Sequence, residues 1–202
     1  MVTIDNTTAI ISNRNNSSSR TIRLRSMPDN NGVSKTFELS ETAASISEFV
    51  VDCLDLEDEE DENATIVVDI PRISGDCLGK VVEFMTHYEK EELKQISGKP
   101  LRGSTFNEEV TQKWYRDFVS DESLGIEGKT SDLEAAPRRL MELHAAANFL
   151  GIERLLDLVV LKIAYQIMNK DKEGIRVYLN LPKMTKEEEE QVRKDKPWIF
   201  EN

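Results

Sequence analysis

Two histidines and two cysteines are the residues of this sequence best suited to metal binding or nucleophilic catalysis. Neither His87 nor His144 has a second histidine or a cysteine four residues away, the spacing that places two ligands on one helix face. Cys53 and Cys77 are too few for a disulfide framework or, by themselves, a zinc site. We therefore expect structural histidines, and cysteines that serve as small core residues in a reducing compartment.

The acidic run at positions 55–62 is the other cluster with chemical potential. Carboxylates bind divalent cations, but this run lacks the glycine and the ligand spacing of a calcium loop. Acid–base catalysis needs two carboxyl groups whose environments separate their pKa values, which an exposed loop does not provide. The sequence also has no nucleophile elbow, Walker loop or glycine fingerprint. We expect a mobile loop here, in a protein that is not an enzyme and holds no metal or cofactor.

The charge balance excludes further classes of function. The 202 residues include 26 Lys and Arg against 38 Asp and Glu, a net charge of −12. Such a chain is poorly suited to nonspecific binding of nucleic acid or anionic membranes, which requires a basic surface. No apolar run approaches the roughly 20 residues of a membrane span, and the first nineteen residues contain no secretory signal. We expect an intracellular protein without nucleic-acid or membrane partners.

The elements that position these residues follow from the apolar periodicity. Residues 21–26 and 36–39 alternate apolar and polar side chains around a turn at 28–32, which predicts a β-hairpin. A β-branched run at 65–70, stopped by Pro71, predicts a further strand. Apolar residues with helical spacing predict helices over residues 46–54, 78–85, 140–150 and 155–167.

The remaining segments are predominantly polar. Residues 1–19 cannot bury enough apolar surface to offset the entropy of ordering, so we expect a disordered tail. Trp114 and Phe118, four residues apart, are predicted to share a helix face. Loops are predicted near 55–64, 89–110 and 120–138.

The C-terminal segment combines a polar helix with an apolar end. Thr185 and Glu188 have the spacing of a capping box, and Pro197 ends the helix. The helix offers little more than Val192 to a core, so its ends or a partner must hold it. Trp198 either packs back on its own domain or binds a partner, as tryptophans at interface hot spots do.

Four motifs stand out along the chain: MTHY at 85–88, WYRDF at 114–118, AAANFLGI at 145–152, and MTKEEEEQVRK at 184–194 followed by Trp198. In their order and spacing they resemble one protein family, the S-phase-kinase-associated adaptors of SCF ubiquitin ligases. The resemblance covers residues 21–202.

The resemblance implies an α/β fold: a BTB/POZ-like domain over residues 20–168 and a C-terminal helical, F-box-binding region over 169–202. It implies a non-catalytic adaptor that bridges the N-terminal region of a cullin to F-box substrate receptors for ubiquitin-dependent degradation. A cytoplasmic and nuclear location follows from that role. The exposed groove would also favour a homodimer of the free protein.

Site residues are carried over position by position. Asn148 and Phe149 match the asparagine–tyrosine pair that contacts the cullin, and the missing hydroxyl removes one hydrogen bond. The F-box-binding positions are apolar residues of the last helices: Val160, Ile163, Ile167, Ile175, Leu179, Leu181 and Trp198.

Two features favour an alternative function. Phe149 weakens the match at the cullin side, and the stretch at 120–138 is longer than in the family. The alternative is an F-box-binding module that acts outside a cullin ligase, for example in a kinetochore-type assembly.

Overall fold

A computed structural model describes residues 21–56, 65–96, 105–125 and 135–199. Its sheet contains β1 (Thr21–Ser26), β2 (Thr36–Ser40) and β3 (Ile66–Ile70), in the order β2–β1–β3. β1 pairs antiparallel with β2 and parallel with β3. The structure confirms the predicted hairpin and the predicted third strand.

Helices of very different length accompany this sheet. The longer ones are α2 (Glu48–Asp55), α3 (Gly75–Tyr88), α6 (Ala135–Phe149), α7 (Glu153–Ile167) and α9 (Lys186–Asp195). The shorter ones are α1 (Glu41–Ala44), α4 (Phe106–Glu109), α5 (Lys113–Phe118) and α8 (Lys172–Tyr178), followed by a 3-10 turn (Pro197–Ile199).

The sheet has one apolar face and one polar face, as strand alternation requires. Ile22 and Leu24 of β1 are completely buried against the helices. On the other face, Arg25 donates hydrogen bonds of 2.5 and 2.6 Å to Asp69 of β3. These bonds hold the pKa of the Asp69 carboxyl below its ordinary value. The solvent-exposed face of the sheet therefore carries cross-strand ion pairs, while the other face packs in the hydrophobic core.

An aromatic cluster joins α3 to α5. The buried ring of Phe84 lies 5.7–5.8 Å from the rings of Tyr88, Tyr115 and Phe118. Trp114 stacks on Phe118 with ring centres 5.0 Å apart, which confirms their predicted helix face. Aromatic pairs at these separations stabilise a fold by more than the burial of their apolar surface alone.

The turn between α6 and α7 is a Schellman motif. Gly151 has a positive φ of 64°, its N–H bonds to Asn148 O at 3.3 Å, and the Ile152 N–H bonds to Ala147 O at 2.9 Å. Ile152 is buried. This motif ends helices with a left-handed glycine and an apolar residue after it, so the predicted helix end is confirmed.

Two helices extend into predicted loops, and a third short helix was not predicted. The helix expected from about position 140 begins at Ala135, inside the predicted 120–138 loop. Pro137 lies in its first turn, where backbone N–H groups have no intrahelical partner and proline is tolerated. Likewise α4 lies inside the predicted 89–110 loop, and the short α1 follows β2 directly. The predicted tail at 1–19 and most of the acidic run lie outside the described residues.

The C-terminal elements are capped but have no core of their own. Thr185 accepts from the Glu188 N–H and Glu188 accepts from the Thr185 N–H, which confirms the predicted capping box. Within 162–198, no residue whose burial is described is fully buried. No described helix is both long and apolar enough to cross a membrane.

Candidate protein-binding surfaces

The C-terminal part of the chain exposes several large apolar side chains. Trp198 is 70% exposed and Leu181 is 49% exposed. The others are Val160, Met168, Val177 and Met184. Large apolar residues gathered in one region of a soluble protein mark an interaction surface. Trp198 is therefore largely in contact with solvent and not buried against its own domain, and its contact with a partner stays a prediction.

The predicted F-box-binding residues lie on successive elements of this region. Val160 is exposed on α7, while Ile163 and Ile167, farther along the same helix, are half-buried. Ile175 on α8 and Leu179 directly after it are also half-buried, and α8 packs on α7. Trp198 lies on the 3-10 turn, which packs on α9. The structure thus gathers the α7 and α8 positions along one helix pair, with Trp198 on a separate element.

Two caps give α8 a defined shape despite its seven residues. At its start, the Asp171 carboxylate accepts from the Gly174 N–H at 2.7 Å. At its end, Asn180 has a positive φ of 50° and bonds to Val177 O, while the Leu181 N–H bonds to Arg176 O at 2.9 Å. This second Schellman motif uses asparagine, which tolerates the left-handed conformation.

A second surface lies at the end of α6, where Asn148 is exposed and Phe149 is half-buried. The Phe149 ring packs on Phe49 of α2 with centres 4.9 Å apart. The Arg72 guanidinium lies 6.0 Å from the centre of the Phe149 ring. A groove of about 400 Å³ opens between Arg72 and the α6 residues His144, Asn148 and Phe149. The predicted cullin-binding pair therefore sits beside a cation and an open groove.

Contacts from α2 hold this second surface in place. The buried Ser47 caps α2 by accepting from the Val50 N–H at 3.2 Å, and its hydroxyl donates to Leu150 O at 2.6 Å. The Phe49 N–H also bonds to Leu150 O, at 3.3 Å. Sequence reasoning missed Arg72 and Phe49 as neighbours of Phe149. Phe49 was visible as an apolar helix residue, but no sequence signal connected Arg72 to α6.

Two of the residues first considered for chemistry, His87 and Cys77, lie in packed parts of the fold. The His87 ring stacks on Trp114, with centres 3.7 Å apart. Burial raises the pKa of the Cys77 thiol to about 11, so it is protonated at neutral pH. Within the described part of the chain, no three His, Cys, Asp or Glu residues come together as a metal site.

Comparison with known proteins supports a single family. Residues 153–199 match the model of the Skp1 family, dimerisation domain. SKP1-like protein 1A of Arabidopsis thaliana is 30% identical over 168 residues, 83% of this chain and 92% of the relative. An S-phase kinase-associated protein 1 homolog of Tetrahymena thermophila is 29% identical, over 81% of this chain and 87% of the relative. The suppressor of kinetochore protein 1 of Schizosaccharomyces pombe is 30% identical, over 66% and 74%.

These similarities extend from the sheet-containing body to the C-terminal helices. The mixed α/β body and the helices that follow it have the BTB/POZ-like architecture that the sequence motifs predict. On both grounds, the chain belongs to the Skp1 family.

Proposed function

We propose that this protein is the non-catalytic adaptor of an SCF-type ubiquitin ligase, bridging a cullin scaffold to F-box substrate receptors. Membership of the Skp1 family supports an SCF adaptor role. The observation that supports the proposal most strongly is the set of exposed apolar side chains on the C-terminal elements, from Val160 on α7 to Trp198 on the 3-10 turn. An adaptor of this kind acts in the cytoplasm and nucleus, where we expect the protein.

The receptor side of the bridge is the region from Val160 to Trp198. Half-buried Ile167 and Ile175 and exposed Leu181 offer apolar area that a partner helix would remove from water. Such burial drives association at roughly 25 cal/mol per Å² before the costs of ordering. An amphipathic helix docked along α7 and α8 fits this pattern.

The cullin side is the end of α6. Exposed Asn148 offers amide donors and an acceptor, and Arg72 beside Phe149 offers guanidinium donors. Because the Phe149 ring already packs on Phe49, part of its surface is used within the protein. Polar contacts from Asn148 and Arg72 would therefore orient the cullin on this surface, and the exposed part of the Phe149 ring would add apolar contact.

Affinity purification of the tagged protein from its own cells, with mass spectrometry, tests the proposal. We expect one cullin and several F-box proteins with the wild type. Asn148→Lys is expected to lose the cullin and keep the F-box proteins, and Trp198→Ala the reverse. Val33→Ser, an exposed apolar change in the hairpin loop, is the matched control that keeps both. Absence of both classes of partner from the wild type would contradict the proposal.

A second candidate function is an F-box-binding module outside a cullin ligase. The name of the Schizosaccharomyces pombe relative, suppressor of kinetochore protein 1, favours it. The same purification separates the two functions, because recovery of F-box proteins without any cullin would support the second.

The free protein is expected to form a homodimer that buries the same apolar surface. Sedimentation should show a dimer that dissociates when an F-box partner is added. A protein that remains monomeric at high micromolar concentration would contradict this expectation.

A further inference from the structure

Tyr178, the last residue of α8, links this helix to α7. Its hydroxyl donates a hydrogen bond to the side-chain oxygen of Gln166 on α7. The Lys170 ammonium, from the connection between the helices, lies 5.7 Å from the centre of the Tyr178 ring. Tyr178 is half-buried and shares one side of α8 with Ile175, three residues earlier.

The environment keeps this hydroxyl protonated and able to donate. Burial raises the pKa of Tyr178 to about 12, and the carboxylate of Asp121 adds to the effect. A hydroxyl removed from water costs free energy unless it is bonded, and Gln166 supplies its acceptor. Breaking the bond would leave two polar groups without a partner in a half-buried contact.

The other side-chain hydrogen bonds that α8 makes in the described ranges are local. Asp171 caps its first turn, while Arg176 bonds to Glu173 and to Leu181 O. Such bonds hold the shape of α8 but do not determine where the helix lies on the body. The Tyr178–Gln166 bond does, because it joins residues on two helices.

We propose that Tyr178 is a positioning residue for the receptor-binding surface: its bond to Gln166 holds α8 on α7 and presets the separation of their apolar rows. This inference rests on the proposed receptor-binding function. The partner that fits is a helix whose apolar residues match a preformed surface. Without the bond, binding must also order α8, and that cost weakens association.

Amide hydrogen exchange on the full-length free protein tests the first half of the inference. Tyr178→Phe keeps the ring and removes the hydroxyl, so protection of the 175–179 amides should fall roughly five- to tenfold. Protection in α3 and α6 should not change. Tyr88→Phe, which alters a tyrosine stacked on Phe84 in the body, is the matched control. Protection of α8 within twofold of wild type in Tyr178→Phe would overturn the inference.

Receptor binding tests the second half. The probe is the F-box segment of the receptor recovered most abundantly with the wild-type protein, measured by surface plasmon resonance. Tyr178→Phe should weaken it roughly threefold to tenfold, while cullin binding stays constant. The double variant Tyr178→Phe with Gln166→Met replaces both polar partners by apolar groups and should recover at least half of the lost α8 protection and affinity.

The two measurements separate the two proposals. Loss of α8 protection with unchanged receptor affinity would overturn the positioning role and leave the adaptor function intact. If the wild type binds no F-box segment, the adaptor function and the receptor role fail together. The exchange experiment then still decides whether Tyr178 holds α8.

Discussion

The body and the C-terminal region of this protein are stabilised in different ways. In the body, Phe84, Ile22 and Leu155 are completely buried, and helices pack on a sheet and on each other. Between 169 and 199 no residue whose burial is described is fully buried, and caps and local ion pairs define the helices. Acidic and basic residues nearly balance in that region, although the whole chain has a net charge of −12.

This difference separates stability from binding. Core residues stabilise the body, whereas the apolar residues of the C-terminal region remain available to a partner. Changes in the body should therefore alter unfolding, and changes in the C-terminal region should alter association. Substitutions in each region can test that separation directly.

Phe84→Ala should have the largest effect on stability. It removes a fully buried ring that contacts three others, and such a change costs about 3–5 kcal/mol. Urea unfolding followed by circular dichroism measures the loss. The matched change Val177→Ala, at an exposed position of α8, should alter the free energy of unfolding by less than about 0.5 kcal/mol. Equal losses would contradict the separation.

Trp198→Ala should have the largest effect on association. If Trp198 anchors the receptor, its removal should weaken F-box binding by about 2 kcal/mol or more. Its side chain is 70% exposed, so the unfolding midpoint should barely move. Calorimetric titration and thermal unfolding of the same samples check both statements. A large drop in the midpoint would mean that Trp198 stabilises the body instead.

Gly151→Ala should destabilise the junction that supports the cullin side. Alanine at the positive φ of 64° costs roughly 1–2 kcal/mol. The new Cβ would also lie 2.8 Å from Glu48 Cβ, so α2 must shift. Gly32→Ala is the control, because Gly32 also has a positive φ but no atom within 4 Å of its Cβ position. Urea unfolding should show a greater loss of unfolding free energy for Gly151→Ala than for Gly32→Ala. Equal losses would show that the contact with α2 adds nothing to the cost of the substitution.

The pH dependence of α8 should be the smallest effect. Hydrogen bonds from Arg176 hold the pKa of the Glu173 carboxyl below its ordinary value. Because this pKa is lower in the folded state, the ionised carboxylate stabilises the helix at pH values above its unfolded-state pKa. This contribution is lost as pH falls through the folded-state pKa. Carbon-13 titration of Glu173 should show a lower midpoint in wild type than in Arg176→Gln. Identical midpoints would show that the ion pair is not maintained in solution.

Much of the fold could be predicted because its signals are local. Strand alternation, the helical spacing of apolar residues and the Thr185–Glu188 capping box each depend on residues a few positions apart. The sequence did not predict α4, and it placed the start of α6 near position 140 instead of at Ala135, for the same reason. The four residues of α4 are too few for a period, and Pro137 in the first turn of α6 resembles a helix stop.

The binding surfaces also combine features set by neighbours in the sequence with contacts between residues that are distant in the sequence. The sequence alone determined which residues are apolar, capped or charged, and its motifs named Asn148, Phe149 and Trp198. The packing of the helices is what brings Phe49 and Arg72 beside Phe149, joins Tyr178 to Gln166 and leaves Trp198 exposed. Side-chain period and caps are set by neighbours along the chain. Which distant residues meet depends on how whole helices pack, and no short-range pattern contains that information.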